Sequence, residues 1–391
     1  MNNKPVFDYP LFAMGFRAFF ALAGLSALAL IGLWNAMSNG NLHVDHYFPG
    51  TLWHAHEMLL GYTSAVIAGF LLTAVANWTS RQTVSPDQLA SLSFLWLYGR
   101  VLPFYSEWLP DVLIAAVDWS FLPALTYFVA RPILQTRQYQ HGVFVALLLL
   151  MALANAWIHG EVLGWSVAGA ARGLNLMAGL VVVMILVIAG RVFPFFTERG
   201  LSGVICIRSP ALDIAAILAG AAVFLLLLIG VSGLFLAAAA FAAAVLSLLR
   251  VGGWYNPRIW YVPLLWVLYI GYAWVIVGFV LVALSAFEWV APALALHAFT
   301  VGGIGILTLG MMARVALGHT GRALKASNVI AIAFIAVNLA ALFRVLVPAL
   351  VPTWYGGLVM ASAYCWLAAF SLFAFYYAPI LTAPRLDGQP G

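Results

Sequence analysis

Apolar residues run through this chain in blocks of about 20, separated by short polar or Pro/Gly-bearing stretches. About 20 apolar residues in a helix, rising 1.5 Å each, cross the hydrocarbon core of a bilayer. The pattern predicts twelve spans, at 16–37, 51–78, 88–105, 111–131, 140–160, 168–195, 211–230, 233–250, 259–284, 289–316, 326–350 and 356–382. The breaks between them are short, for example Ser80-Arg81-Gln82 to Pro86-Asp87, Arg131-Pro132 to His141, and Glu198-Arg199-Gly200 to Pro210. The expected fold is all-α: a single polytopic membrane bundle over residues 1–391, ending in a disordered tail at 384–391. No internal repeat of the kind found in many secondary transporters is evident.

Composition agrees with this. Of 391 residues, 65% are hydrophobic and 7% charged, too little charge for a soluble surface. Asn2, Asn3 and Lys4 lead into Asp8 and Pro10, which is not the pattern of a secretory signal peptide. Two cysteines give no disulfide framework. The formal charge of +5 is not clustered enough to suggest nucleic acid. It reads instead as basic loops on one side. With a cytoplasmic N-terminus, fourteen Lys/Arg residues fall on the inner side, and only Arg100, Arg172 and Arg344 on the outer side. That bias predicts N-in and C-in.

The chemistry concentrates in histidines. Trp53-His54-Ala55-His56-Glu57-Met58 opens the second span, and ionisable groups at membrane depth are functional suspects. Neutral imidazole is a ligand shared by iron, copper and zinc. By this topology His54, His56, His159 and His297 can share one outer layer. His54 and His56 are two residues apart, so they point about 200° away from each other on a helix. One metal therefore does not easily take both. His54, His56 and His297 are candidate axial or metal ligands, and His159 a candidate metal ligand. Capped interfacial histidines are the alternative reading. His319 lies 22 residues beyond His297 in the same span, more than about 30 Å along a straight helix, so it would serve a separate inner site. His43 and His46 in the first outer loop read as solvated, and His141 as a polar flank.

Arginines form a second set. Arg17, Arg191, Arg314 and Arg322 belong to the inner layer with His319. Guanidinium groups grip carboxylates in a two-pronged way, so these residues are candidate clamps for haem propionates or another anion. Anchoring by the positive-inside rule competes with that reading. Arg100 and Arg172 run against the charge bias on the outer side, as candidate partners for propionates or for Glu57.

Taken together, several strings resemble the NnrS family of bacterial membrane proteins. They are Gly15-Phe16-Arg17-Ala18-Phe19-Phe20, the Trp53 to Met58 run with Gly61, Gly69-Phe70-Leu71-Leu72-Thr73-Ala74-Val75 and Asn77-Trp78-Thr79. Gly190-Arg191-Val192, with Pro194 and Phe196-Thr197, continues the match. So do His297 with Thr300 and Gly302, Met311-Met312, Arg314 and Gly318-His319-Thr320-Gly321-Arg322. Ala18 and Ala76 stand where the family pattern usually has proline. The resemblance implies a multi-pass bacterial inner-membrane protein containing haem, expected to be b-type, and copper. It also implies a link to nitric oxide, through denitrification and nitrosative-stress protection, without defining a reaction or a redox partner. An NO-reactive haem-copper redox protein is the leading expectation. A non-catalytic NO sensor and a transporter of a metal or metal complex are the alternatives.

Overall fold

The computed structural model describes residues 6–42 and 47–389. Among them the chain is helical, with no strand. Its helices are α1 Gly15–Ser38, α2 Gly50–Thr79, α3 Pro86–Val101, α4 Asp111–Gln135, α5 Gly142–Val162, α6 Gly169–Gly200, α7 Pro210–Leu228, α8 Leu234–Trp254, α9 Pro263–Ser285, α10 Pro292–His319, α11 Asn328–Leu350 and α12 Tyr355–Thr382. Eleven of these segments are long and apolar enough to cross a membrane.

The exception is α3, where span 88–105 was expected. Its 16 residues reach about 24 Å, short of the ~30 Å hydrocarbon core. The rod continues as a 3-10 turn, Leu102–Tyr105. Pro103 lies in that turn and lacks the N–H that another α-turn would use. Local sequence signals set the other end of α3. Ser85 and Gln88 form a reciprocal capping box, with Pro86 in the first turn. α2 ends at Ser80, whose φ of 51° is left-handed.

Two compact units are present. Met1–Met177, Arg314–Ala323 and Phe373–Gly391 make the first, and Ala178–Ala313 with Leu324–Leu372 the second. In the first unit α1 lies along α2. A Cβ on Gly69 would meet the ring of Phe20 at 2.8 Å, so glycine is what lets these two helices approach. The Phe16 amide donates to Thr73 Oγ1 across the same seam, at 3.0 Å. α2 is the central helix, with 89% of its apolar stretch buried.

In the second unit α9 packs on both α8 and α10. Gly302 of α10 faces the Trp274 ring and Gly303 faces Val275, so helix packing fills the room these glycines leave. α7 has only 17% of its apolar stretch buried, as a lipid-facing helix would. Arg250 is buried in this unit. Its Nε donates to Asp213 Oδ1 at 2.5 Å and its Nη1 to the Leu186 carbonyl at 2.7 Å.

Two of the histidine-bearing helices, α2 and α10, leave α geometry immediately after a histidine, and α11 carries a further π-helical segment, Leu342–Leu346. In α2 the π-helical turns Glu57–Thr63 follow His56, and in α10 Ala298–Gly305 follow His297. Such π segments are rare and frequently accompany functional sites.

Candidate metal centre

The geometry of α2 sends its two histidines to different neighbours, as their spacing requires. His54 stacks on Trp34 of α1, with ring centroids 4.6 Å apart and planes at 12°. His56 turns inward, fully buried, and stacks on Phe48 at 4.0 Å. Its Nδ1 lies 3.2 Å from Glu57 Oε1. Its Nε2 lies 3.2 Å from both Asp118 Oδ2 of α4 and Asn155 Oδ1 of α5.

His159, one turn beyond Asn155 on α5, approaches the same carboxylate. Its Nε2 is 2.8 Å from Asp118 Oδ2, and its Nδ1 is 3.1 Å from the Tyr47 hydroxyl. Asn155 Nδ2 also donates to Asp118 Oδ2, at 2.9 Å. Arg100 of α3 closes the cluster. Its Nη1 donates to Glu57 Oε1 at 3.0 Å, and its Nη2 is paired with Asp118 Oδ1. Glu57 Oε2 is buried without a hydrogen-bond partner. Two glycines make room for these groups. A Cβ on Gly61 would come within 3.0 Å of Glu57 Oε2, and one on Gly99 within 2.8 Å of Asp118 Oδ1.

This donor set suits a metal ion. His56, Asp118 and His159 are all buried, and their ligand atoms lie within 4.8 Å of one another. A tetrahedral site with bonds of 2.0–2.2 Å has donor–donor edges of about 3.4 Å. Each imidazole also has its second nitrogen held, His56 by a carboxylate and His159 by a phenol. Second-shell contacts of that kind fix ring orientation and tautomer in metal sites. With neutral imidazoles, the charges of Glu57, Asp118 and Arg100 sum to −1. A cation placed among them therefore lowers the electrostatic cost of burial.

The other expected residues fall elsewhere. His297 belongs to the second unit, where its Nδ1 lies 2.7 Å from the Ala293 carbonyl. A carbonyl can only accept, so Nδ1 carries the proton and Nε2 presents a lone pair. That is the tautomer an axial haem ligand needs. His319 packs its ring against Phe16 at 5.7 Å in the first unit. Arg17 is buried nearby, and its Nη1 donates to the carbonyls of Ile380, Leu381 and Ala383 at 3.5, 3.0 and 2.7 Å. It caps the C-terminal end of α12, where carbonyls lack helical partners. Arg314 is buried, and Arg322 donates to the Thr320 carbonyl at 3.4 Å. Arg191, in the second unit, and Arg172 are exposed. The Leu386 amide donates to the Thr320 carbonyl at 3.2 Å, so the segment after α12 docks beside the His319 turn. His43 and His46 lie outside the described residues, and His141 stacks on Trp78 at 4.5 Å.

The pairing of Arg100 with Glu57 is legible in the sequence, whereas the roles of Asp118, Asn155 and Tyr47 emerge only in the fold. The signal for Asp118 was present: it is a lone carboxylate inside an apolar span, Ile114-Ala115-Ala116-Val117-Asp118-Trp119. Tyr47 and Asn155 carried none, because each becomes meaningful only next to a histidine from another segment.

A search of curated proteins finds no match to the chain. A family model described as NnrS protein matches residues 10–385. That match covers nearly the whole sequence, including α2 with its two histidines, α10 with His297 and all three helices that converge on Asp118, and on it the chain belongs to the NnrS family.

Proposed function

We propose that this protein is a haem- and copper-containing bacterial inner-membrane protein that handles or responds to nitric oxide, with its copper held by the His56–His159 cluster. The observation that carries the reading is the convergence of two buried, backed imidazoles on one buried carboxylate. Reduced copper or ferrous haem supplies, when bound, an electron-rich centre to which NO binds. The chain's own residues would hold the ion through His56 and His159, orient those rings through Glu57 and Tyr47, and keep water out with Phe48. His297, with Nε2 free of its own helix, is the favoured haem ligand of the second unit, and His54 and His319 remain axial candidates. The chain would cross the membrane twelve times, both termini cytoplasmic, if α3 with its 3-10 extension spans.

The test is chemical analysis of purified protein. Haem is measured as the pyridine haemochrome and copper by mass spectrometry, with optical spectra recorded before and after NO. The expected result is a Soret band that shifts with NO, together with bound copper that His56→Ala and His159→Ala remove. Purified wild-type protein containing neither haem nor copper would overturn the reading and favour a transporter. Haem that binds NO without turnover would instead make the protein a sensor or sink.

A further inference from the structure

Resting on the assignment of copper to this cluster, we infer that Asp118 is the third copper ligand and that Arg100 biases the site toward the cuprous ion. Two imidazoles and a free carboxylate form a donor set that suits Cu(II). Here the carboxylate is not free. Arg100 Nη2 is paired with Asp118 Oδ1, while Oδ2 of the same carboxylate faces His56 Nε2 at 3.2 Å and His159 Nε2 at 2.8 Å. The same guanidinium holds Glu57 at 3.0 Å, and Glu57 in turn backs His56. All four side chains are buried or nearly so: Arg100 is 9% exposed, Glu57 1%, Asp118 2% and His56 0%. Water therefore does little to screen them.

The charge count then selects the ion. Glu57, Asp118 and Arg100 sum to −1 with both imidazoles neutral. A monovalent copper ion brings the cluster to zero, whereas a divalent one leaves +1 in a buried site. Arg100 is thus a positioning and charge-setting residue, held by one ion pair to the ligand Asp118 and by a second to Glu57. Its removal takes the metal-free sum to −2, which a divalent ion would neutralise.

The experiment is a potentiometric titration of copper-loaded protein, followed by the Cu(II) electron paramagnetic resonance signal. Copper is supplied as Cu(II) sulfate, with ascorbate as the one-electron reductant. Arg100→Gln should lower the midpoint potential by at least about 59 mV, which is a tenfold change in the Cu(II)/Cu(I) affinity ratio for one electron. Arg100→Lys should restore most of the shift. Glu57→Gln removes a negative charge and should move the potential the other way, so the inference stays testable if Arg100→Gln does not fold. Asp118→Asn should reduce copper occupancy. Unchanged potentials in copper-loaded Arg100→Gln or Glu57→Gln, or full occupancy in Asp118→Asn, would overturn the inference. That result differs from failure of the copper assignment itself, in which His56→Ala and His159→Ala keep their copper.

Discussion

His56 and His159, 103 positions apart on α2 and α5, direct their Nε2 atoms at one oxygen, Oδ2 of Asp118, from 3.2 and 2.8 Å. If a metal ion sits between the two rings, His56→Ala, His159→Ala and Asp118→Asn each lower copper per chain while leaving haem per chain near wild type. Elemental analysis beside the haem absorption decides it. Equal copper in all three variants and the parent would reduce the cluster to an ion network.

The Tyr47 hydroxyl touches His159 Nδ1 at 3.1 Å. Tyr47→Phe should weaken copper binding by roughly 10–100-fold, the usual effect of losing a partner behind a ligating histidine. Competition against a chelator of known affinity measures this. Burial, and then the negative charge of Asp111, push the Tyr47 pKa above its ordinary value. The hydroxyl therefore stays protonated between about pH 6 and 9, and the deficit should be the same at both ends of that range. A deficit that grows toward alkaline pH would place the effect elsewhere.

Steric predictions follow from the two glycines. An added methyl at Gly61 or Gly99 meets the Glu57, Arg100 and Asp118 side chains at 2.8–3.1 Å. Overpacking of this kind costs about 1–3 kcal/mol, so Gly61→Ala and Gly99→Ala should lower thermal stability and copper content together. Gly32→Ala in α1 meets nothing within 4 Å and serves as the control. Copper lost equally from the control would show that the effect is not steric.

Reporter fusions at Gln82 and Glu107 bracket α3 and its 3-10 extension. Opposite sidedness is expected, which makes this segment the twelfth crossing. The same sidedness at both positions would leave eleven crossings and put the two termini on opposite faces of the membrane.

Sequence made the broad architecture legible because spanning a bilayer imposes a length and polarity that few other folds share. It also singled out His56, His159 and Arg100, since imidazole and guanidinium stand out against apolar surroundings. It did not single out Asp118, although the residue is equally anomalous in its span, because a lone carboxylate carries no spacing pattern that points to its partners on α2, α3 and α5. The π-helical turns after His56 and His297 left no readable mark, since a bulge arises from packing rather than from propensity. The same holds for Arg17. Its bonds to the end of α12 join segments at the two extremes of the chain, which no local pattern announces.

Those bonds bear on how the protein is made. Arg17 reaches carbonyls 363 to 366 positions later, and the first unit takes in Phe373–Gly391 as well as Met1–Met177. The early helices emerge from the ribosome long before the segment that completes their unit. Throughout the insertion of α6 to α11 that unit stands with one seam open, and Arg17 has yet to meet the carbonyls of Ile380, Leu381 and Ala383. Chain termination before residue 373 would thus damage the N-terminal half of the protein, although every residue of the His56–His159 cluster had already been made.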